Sequence, residues 1–316
     1  EAYATFQAKK LSLNMARGKP APAQLDLTMP MLDALPSSSN LISESGDDCR
    51  NYGVLAGISE AKKLFAELIG ANPDEMFIGG NSSLELMFAC IQIAFVKGIA
   101  GCTPWCKLDK IKFLCPVPGY DRHFKVTETL GFELICVPLK EDGPDMDIVE
   151  ELVKDPKVLG MWSVPCYTNP DGFVYSEETC RRLASMKTGA KDFRIYWDNA
   201  YIVHHLYEEP EKQEHIPDIL RLCEEAGNPS RVYEFASTSK ITFAGAGISC
   251  FAANKDNMSW AKKYLNTQAI CTNKVNQLAH VRFLPNKEAV LEHMMKHAAI
   301  LSPTFEACLS VPKEEL

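Results

Sequence analysis

Short apolar runs alternate with longer stretches of helical period along most of this chain. The short runs predict strands at 76–78, 111–115, 132–138, 158–163, 193–197, 232–235 and 248–252. The longer stretches predict helices at 59–69, 84–96, 121–130, 146–154, 177–186, 218–225, 255–265 and 287–301. In the first of these, Ala61, Leu64, Phe65, Leu68 and Ile69 recur at i, i+3, i+4 spacing, with Ser59 read as the N-cap and Gly70 as the terminal glycine. Ser176 opens another helix, with Glu177 and Glu178 in its first turn. Residues 1–10 read as a short docking helix, 16–20 as extended chain, and 26–35 as a loop with one helical turn. Residues 36–48 and 208–214 are polar loops. Strands that alternate with helices predict an α/β domain with a mainly parallel, mixed central sheet between helical layers.

Composition narrows the class. With 46% hydrophobic and 23% charged residues, this is the make-up of an ordinary globular protein. A net charge of −8 argues against a partner held by phosphate contacts, as a nucleic acid would be. No apolar run reaches membrane-spanning length; 91–99 is interrupted by Gln92 and Lys97 and reads as a buried helix. No signal-peptide pattern is read at the start. The 12 cysteines are scattered, and Cys102 and Cys106 lack a second pair or a histidine cluster, so no metal is expected. Cys90, Cys115, Cys136 and Cys250 fall in apolar runs and read as small buried hydrophobes in a reducing, cytoplasmic setting.

Three motifs carry chemistry. After the strand at 232–235 comes Ser237-Thr238-Ser239-Lys240, followed by a run of small residues to Gly247. A lysine on a strand-edge turn is readily buried, which favours the neutral amine, and a neutral amine attacks carbonyls. Alone, the tetrapeptide reads rather as a surface lysine in a polar turn. Upstream lie Thr168-Asn169-Pro170-Asp171-Gly172 and Tyr196-Trp197-Asp198-Asn199-Ala200-Tyr201. Asn169 and Asp198 are 29 residues apart, and Asp198 and Lys240 are 42 apart. In this order and spacing the three resemble the fold-type I pyridoxal-phosphate enzymes, specifically class I aminotransferases. Ala16-Arg17-Gly18-Lys19-Pro20 and the segment around Lys240 resemble the divergent aspartate-aminotransferase-like subgroup.

The resemblance implies roles. Lys240 would form a Schiff base with pyridoxal 5'-phosphate and then act as the base at the substrate Cα. Asp198 would face the pyridine nitrogen and keep it protonated. Tyr201 and Asn169 would bond the phenolic oxygen, and Tyr120, after the turn at 116–119, would stack on the ring. The junction Asn81, Ser82 and Ser83 aims free N–H groups at one spot, as a phosphate requires, with Ser237 and Ser239 beside it. Tyr52, five residues before Gly57, would reach the cofactor of a neighbouring subunit, implying a homodimer. Gly18 and Asn169 would meet the substrate. Pro170 would follow a cis bond, and His123 and Phe124 read as packing residues. The implied activity is amino-group transfer between aspartate or a similar amino acid and a 2-oxo acid.

Two departures accompany the resemblance. An arginine common eight residues after the lysine is Ile248 here. A C-terminal small domain, with an arginine for the substrate carboxylate, should follow residue 301, whereas the sequence given ends at Leu316. The implied organisation is an arm and the start of a small domain at 1–50, a cofactor-binding large domain at 51–285, and a linking helix from 286. Such a piece is expected to bind cofactor and to transaminate poorly or not at all. A lyase or decarboxylase on the same scaffold, and a non-catalytic ligand-binding or regulatory module, are the alternatives. A nicotinamide enzyme is disfavoured, because Gly245-Ala246-Gly247 meets Cys250 where a third glycine belongs.

Overall fold

The structure is a computed structural model, and it describes residues 2–10 and 19–310. Eight strands form one sheet: β1 (Met76–Ile78), β2 (Lys112–Val117), β3 (Glu133–Lys140), β4 (Gly143–Pro144), β5 (Val158–Ser163), β6 (Arg194–Asp198), β7 (Val232–Ser237) and β8 (Ser249–Ala252). Their order across the sheet is β1-β8-β7-β6-β5-β2-β3-β4. Strands β3, β2, β5, β6 and β7 run parallel to one another, while β8 is antiparallel to both β7 and β1. Two reversals cancel, so β1 points the same way as β7. The C-terminal ends of β1, β2, β5, β6 and β7 therefore share one edge of the sheet, and open α/β sheets bind ligands at that edge.

The central strands β5, β6 and β7 are buried at every position, as expected of strands covered on both faces. Alternation divides the core. Phe77 and Phe251 belong to one apolar cluster, while Met76, Ile78, Cys250 and Ala252 on the same two strands belong to the other. The second cluster is completed by the helix Ser59–Ile69, whose Ala61, Leu64, Phe65, Leu68 and Ile69 are all buried as their spacing predicts. Gly70 ends this helix at φ 79°, a left-handed conformation that glycine adopts without a Cβ penalty. Ser176 accepts from the Thr179 amide as an N-cap.

Several expectations are corrected. Ile58, not Ser59, is the N-cap of the first long helix, and Ser59 is its first helical residue. The segment 26–35 contains the end of the helix Pro22–Asp26 and a 3₁₀ helix at Met29–Asp33. Cys136 is exposed, because it lies on the outward row of β3 near the sheet edge; Cys90, Cys115 and Cys250 are buried. The helix Lys274–Phe283 has no counterpart in the expected elements. Its inward face carries Lys274, Gln277 and His280 beside Leu278 and Val281, so no clean apolar stripe marks it. No helix among the described residues is long and apolar enough to cross a membrane.

Candidate active site

Strand β6 delivers Asp198 as its last residue, paired in register with Phe235 of β7. Asp198 is buried, 6% exposed as a residue, and one carboxylate oxygen is held by His123, whose Nε2–H donates to Oδ2 at 3.0 Å. The other oxygen, Oδ1, is buried without a partner among the described residues. His123 sits one turn into the helix Asp121–Thr129. It stacks on Trp162 at 4.5 Å and 10°, and Tyr120 meets it edge-on at 4.9 Å. The residue read as packing thus fixes the carboxylate instead. Phe124 does pack against the core.

The lysine follows β7. Lys240 is half-buried in a turn, with Nζ 4.6 Å from the centre of the Tyr201 ring. Tyr201 comes from the turn after β6, and its hydroxyl accepts from Asn169 Nδ2 at 3.5 Å. Asn169 lies beyond β5, and its bond to Pro170 is cis, as expected. Burial pushes the Tyr201 phenol up and the Asp198 charge adds to this, while the Asn169 bond opposes it. Tyr120, before the helix Asp121–Thr129, is also pushed up by burial; the Lys240 charge opposes that shift and those of Asp198 and Tyr201 reinforce it. One spot at the sheet edge therefore holds Lys240, Asp198, Tyr201, Tyr120 and Asn169.

A second group borders it. Ser82 is the N-cap of the helix Ser83–Lys97 and makes no side-chain cap bond, which leaves first-turn amides for another acceptor. Ser239 Oγ donates to the Asn81 carbonyl at 2.8 Å and stands 3.0 Å from Ser237 Oγ, tying the lysine turn to this junction. Ile248 is buried and contributes no charge. Tyr52 is not brought to this group within the chain: its side chain is 77% exposed, while its carbonyl and that of Gly53 accept from the buried Lys274 ammonium at 3.2 and 3.0 Å. Gly18 lies outside the described residues.

Two buried histidines brace the lysine turn from behind, and no motif announces them. His293, on the helix Lys287–Leu309, donates from Nε2 to the Ile241 carbonyl at 2.9 Å. His280 lies against Thr238 and Thr242.

The family model for aspartate amino-transferases matches residues 1–316 of this sequence. The chain belongs to the aspartate aminotransferase family. Among curated family members, the aspartate aminotransferase of Corynebacterium glutamicum is 47% identical over 308 residues, spanning 97% of this chain and 70% of the relative. A putative aminotransferase of Mycolicibacterium smegmatis is 44% identical over 317 residues, spanning 99% of this chain and 73% of the relative. The crystal structure of an aspartate transaminase from Corynebacterium glutamicum superimposes with a TM-score of 0.95 at 46% identity, covering 100% of this chain and 74% of that one. At 21% identity and a TM-score of 0.69, the fold also extends to the alpha-aminoadipate aminotransferase of Thermus thermophilus, solved with N-(5'-phosphopyridoxyl)-L-leucine, over 95% of this chain and 72% of that one. The α/β fold with a mostly parallel sheet is that of the aminotransferases. The protein is an enzyme of this kind: a pyridoxal-phosphate-dependent aminotransferase acting on an amino acid and a 2-oxo acid. The lyase and regulatory alternatives are not favoured.

Proposed function

We propose that Lys240, Asp198 and Tyr201 are the catalytic residues of this aminotransferase. The supporting observation is the Asp198 carboxylate, buried and bonded on one oxygen only, with Oδ1 unpartnered. A buried carboxylate oxygen without a donor is costly unless a ligand supplies one. The protonated pyridine nitrogen of pyridoxal phosphate is such a donor, so the residues present fit the group. When bound, the cofactor supplies the electron sink that makes a substrate Cα proton acidic.

Each residue then has one task. Lys240 binds the group through Nζ and takes and returns the Cα proton. Asp198, oriented by His123, keeps the ring nitrogen charged. Tyr201 and Asn169 orient the phenolic oxygen, and Tyr120 covers the ring face. Asn81, Ser82 and Ser83, with Ser237 and Ser239, take the phosphate through hydroxyls and helix-start amides, without a cation at position 248. Exposed Tyr52 reaches the phosphate of a second subunit in a homodimer. Gly18 and Asn169 meet the substrate. The Corynebacterium glutamicum relative is named for aspartate, which makes aspartate or a similar amino acid the donor to test first.

The test is an absorption spectrum after mixing with pyridoxal phosphate and desalting. A protein-bound band in the visible or near ultraviolet is expected, and Lys240→Ala should lose it. A band of equal strength in the variant would sink the assignment of Lys240.

A further inference from the structure

Lys240 has a threonine two residues before it and another two residues after it, and both hydroxyls are buried. Thr238 is 2% exposed and Thr242 is 1% exposed. His280, fully buried on the helix Lys274–Phe283, places Nε2 at 3.2 Å from Thr238 Oγ1 and 3.0 Å from Thr242 Oγ1. The two hydroxyls are themselves 3.0 Å apart, so the three atoms close a triangle. The ring's other nitrogen, Nδ1, lies 2.8 Å from the Asn276 carbonyl, a partner that only an N–H satisfies. That bond fixes the tautomer and leaves the lone pair on Nε2. Burial favours the neutral ring, consistent with an acceptor. One hydroxyl proton goes to Nε2 and the other closes onto the neighbouring oxygen.

The triangle also anchors backbone. Thr238 Oγ1 accepts from the Ile248 amide at 3.0 Å, and the Thr238 carbonyl accepts from the amides of Ile241 and Thr242 at 2.9 and 2.8 Å. Thr238, Ile241, Thr242 and Ile248 therefore share one network, in which His280 Nε2 is the acceptor from outside the turn and the Thr238 carbonyl, 3.2 Å from Thr242 Oγ1, is the one within it. We propose that His280 is a positioning residue for Lys240: through Thr238 and Thr242 it holds the turn so that the amine faces the site. This rests on the assignment of Lys240 as the cofactor-binding lysine.

The experiment measures the rate at which Lys240 captures pyridoxal phosphate. Capture is quenched by borohydride at timed intervals and quantified on the Lys240 peptide by mass spectrometry, with a thermal melt for each variant. In His280→Leu the acceptor from outside the turn is gone, and the two hydroxyls are left with each other and with the Thr238 carbonyl. Capture is expected to slow about tenfold, the order of one to two lost hydrogen bonds. His280→Gln puts Oε1 near the place of Nε2 and should restore the rate to within about threefold, which a purely space-filling role would not require. Thr242→Val, close in shape, should slow capture without unfolding the chain, and it decides the matter if the leucine variant fails to fold. Wild-type rates in His280→Leu or Thr242→Val, or a glutamine variant that folds and stays as slow as the leucine one, would overturn the inference. No label on Lys240 in the wild type, by contrast, would remove the assignment of Lys240 itself.

Discussion

Glu234 lies in the middle of β7, 2% exposed, with Asn199 Nδ2 donating to Oε1 at 2.8 Å and Oε2 without a partner among the described residues. Burial pushes its carboxyl from an ordinary 4.5 to about 8; the Asn199 bond opposes this and the Asp218 charge adds to it. At neutral pH the folded protein therefore holds a proton here that the unfolded chain releases. The folded value is raised, so the folded state binds the proton more tightly. Stability is undiminished below about pH 4.5 and is lost progressively as pH rises to about 8. At ~1.4 kcal/mol per pH unit the cost is about 1 kcal/mol at pH 5, about 3 at pH 7, and about 5 above pH 8. Glu234→Gln keeps the Asn199 bond and cannot ionise. The stability of the glutamine variant minus that of the wild type should therefore climb by about 3–4 kcal/mol between pH 5 and pH 8.5. Other titrating groups are common to both proteins and largely cancel in this difference. Urea unfolding followed by tryptophan fluorescence, at half-unit steps of pH, measures it. A difference that stays flat with pH would refute the buried neutral carboxyl.

Two further substitutions test the site. Asp198→Asn retains an acceptor for His123 and removes the charge; affinity for pyridoxal phosphate, measured by equilibrium dialysis, should fall about 10- to 100-fold, the worth of a hydrogen bond to a charged group. Unchanged affinity would mean that Oδ1 does not meet the ring nitrogen. A Cβ on Gly247 would come 2.8 Å from Thr238 Oγ1, whereas nothing lies within 4 Å of one on Gly245. Gly247→Ala should thus destabilise by about 1–3 kcal/mol in a chemical melt and weaken cofactor binding with it, and Gly245→Ala should do neither.

The legible part of this protein was local. Short apolar runs placed β1 and β5 residue for residue, because strands covered on both faces are apolar throughout, and the stripe from Ala61 to Ile69 placed its helix, because helical side-chain period follows from backbone geometry alone. Asn169, Asp198, Tyr201 and Lys240 stand out through three motifs whose order and spacing resemble those of class I aminotransferases, each placed at or after the end of a strand. Tertiary structure alone decided their support. His123 reaches Asp198 across 75 positions, His280 reaches Thr238 across 42, and Lys274 reaches Tyr52 across 222. A histidine on an amphipathic helix looks the same in sequence whether it faces water or a buried carboxylate. Its partner is set by which strands lie side by side, and the sheet order here sets β2 beside β5, skipping β3 and β4. The helix Lys274–Phe283 makes the same point. Its polar face fits no apolar period, since Lys274, Asn276 and Gln277 turn toward backbone groups of distant loops, and His280 toward the Thr238 and Thr242 hydroxyls, that only the folded chain brings to them.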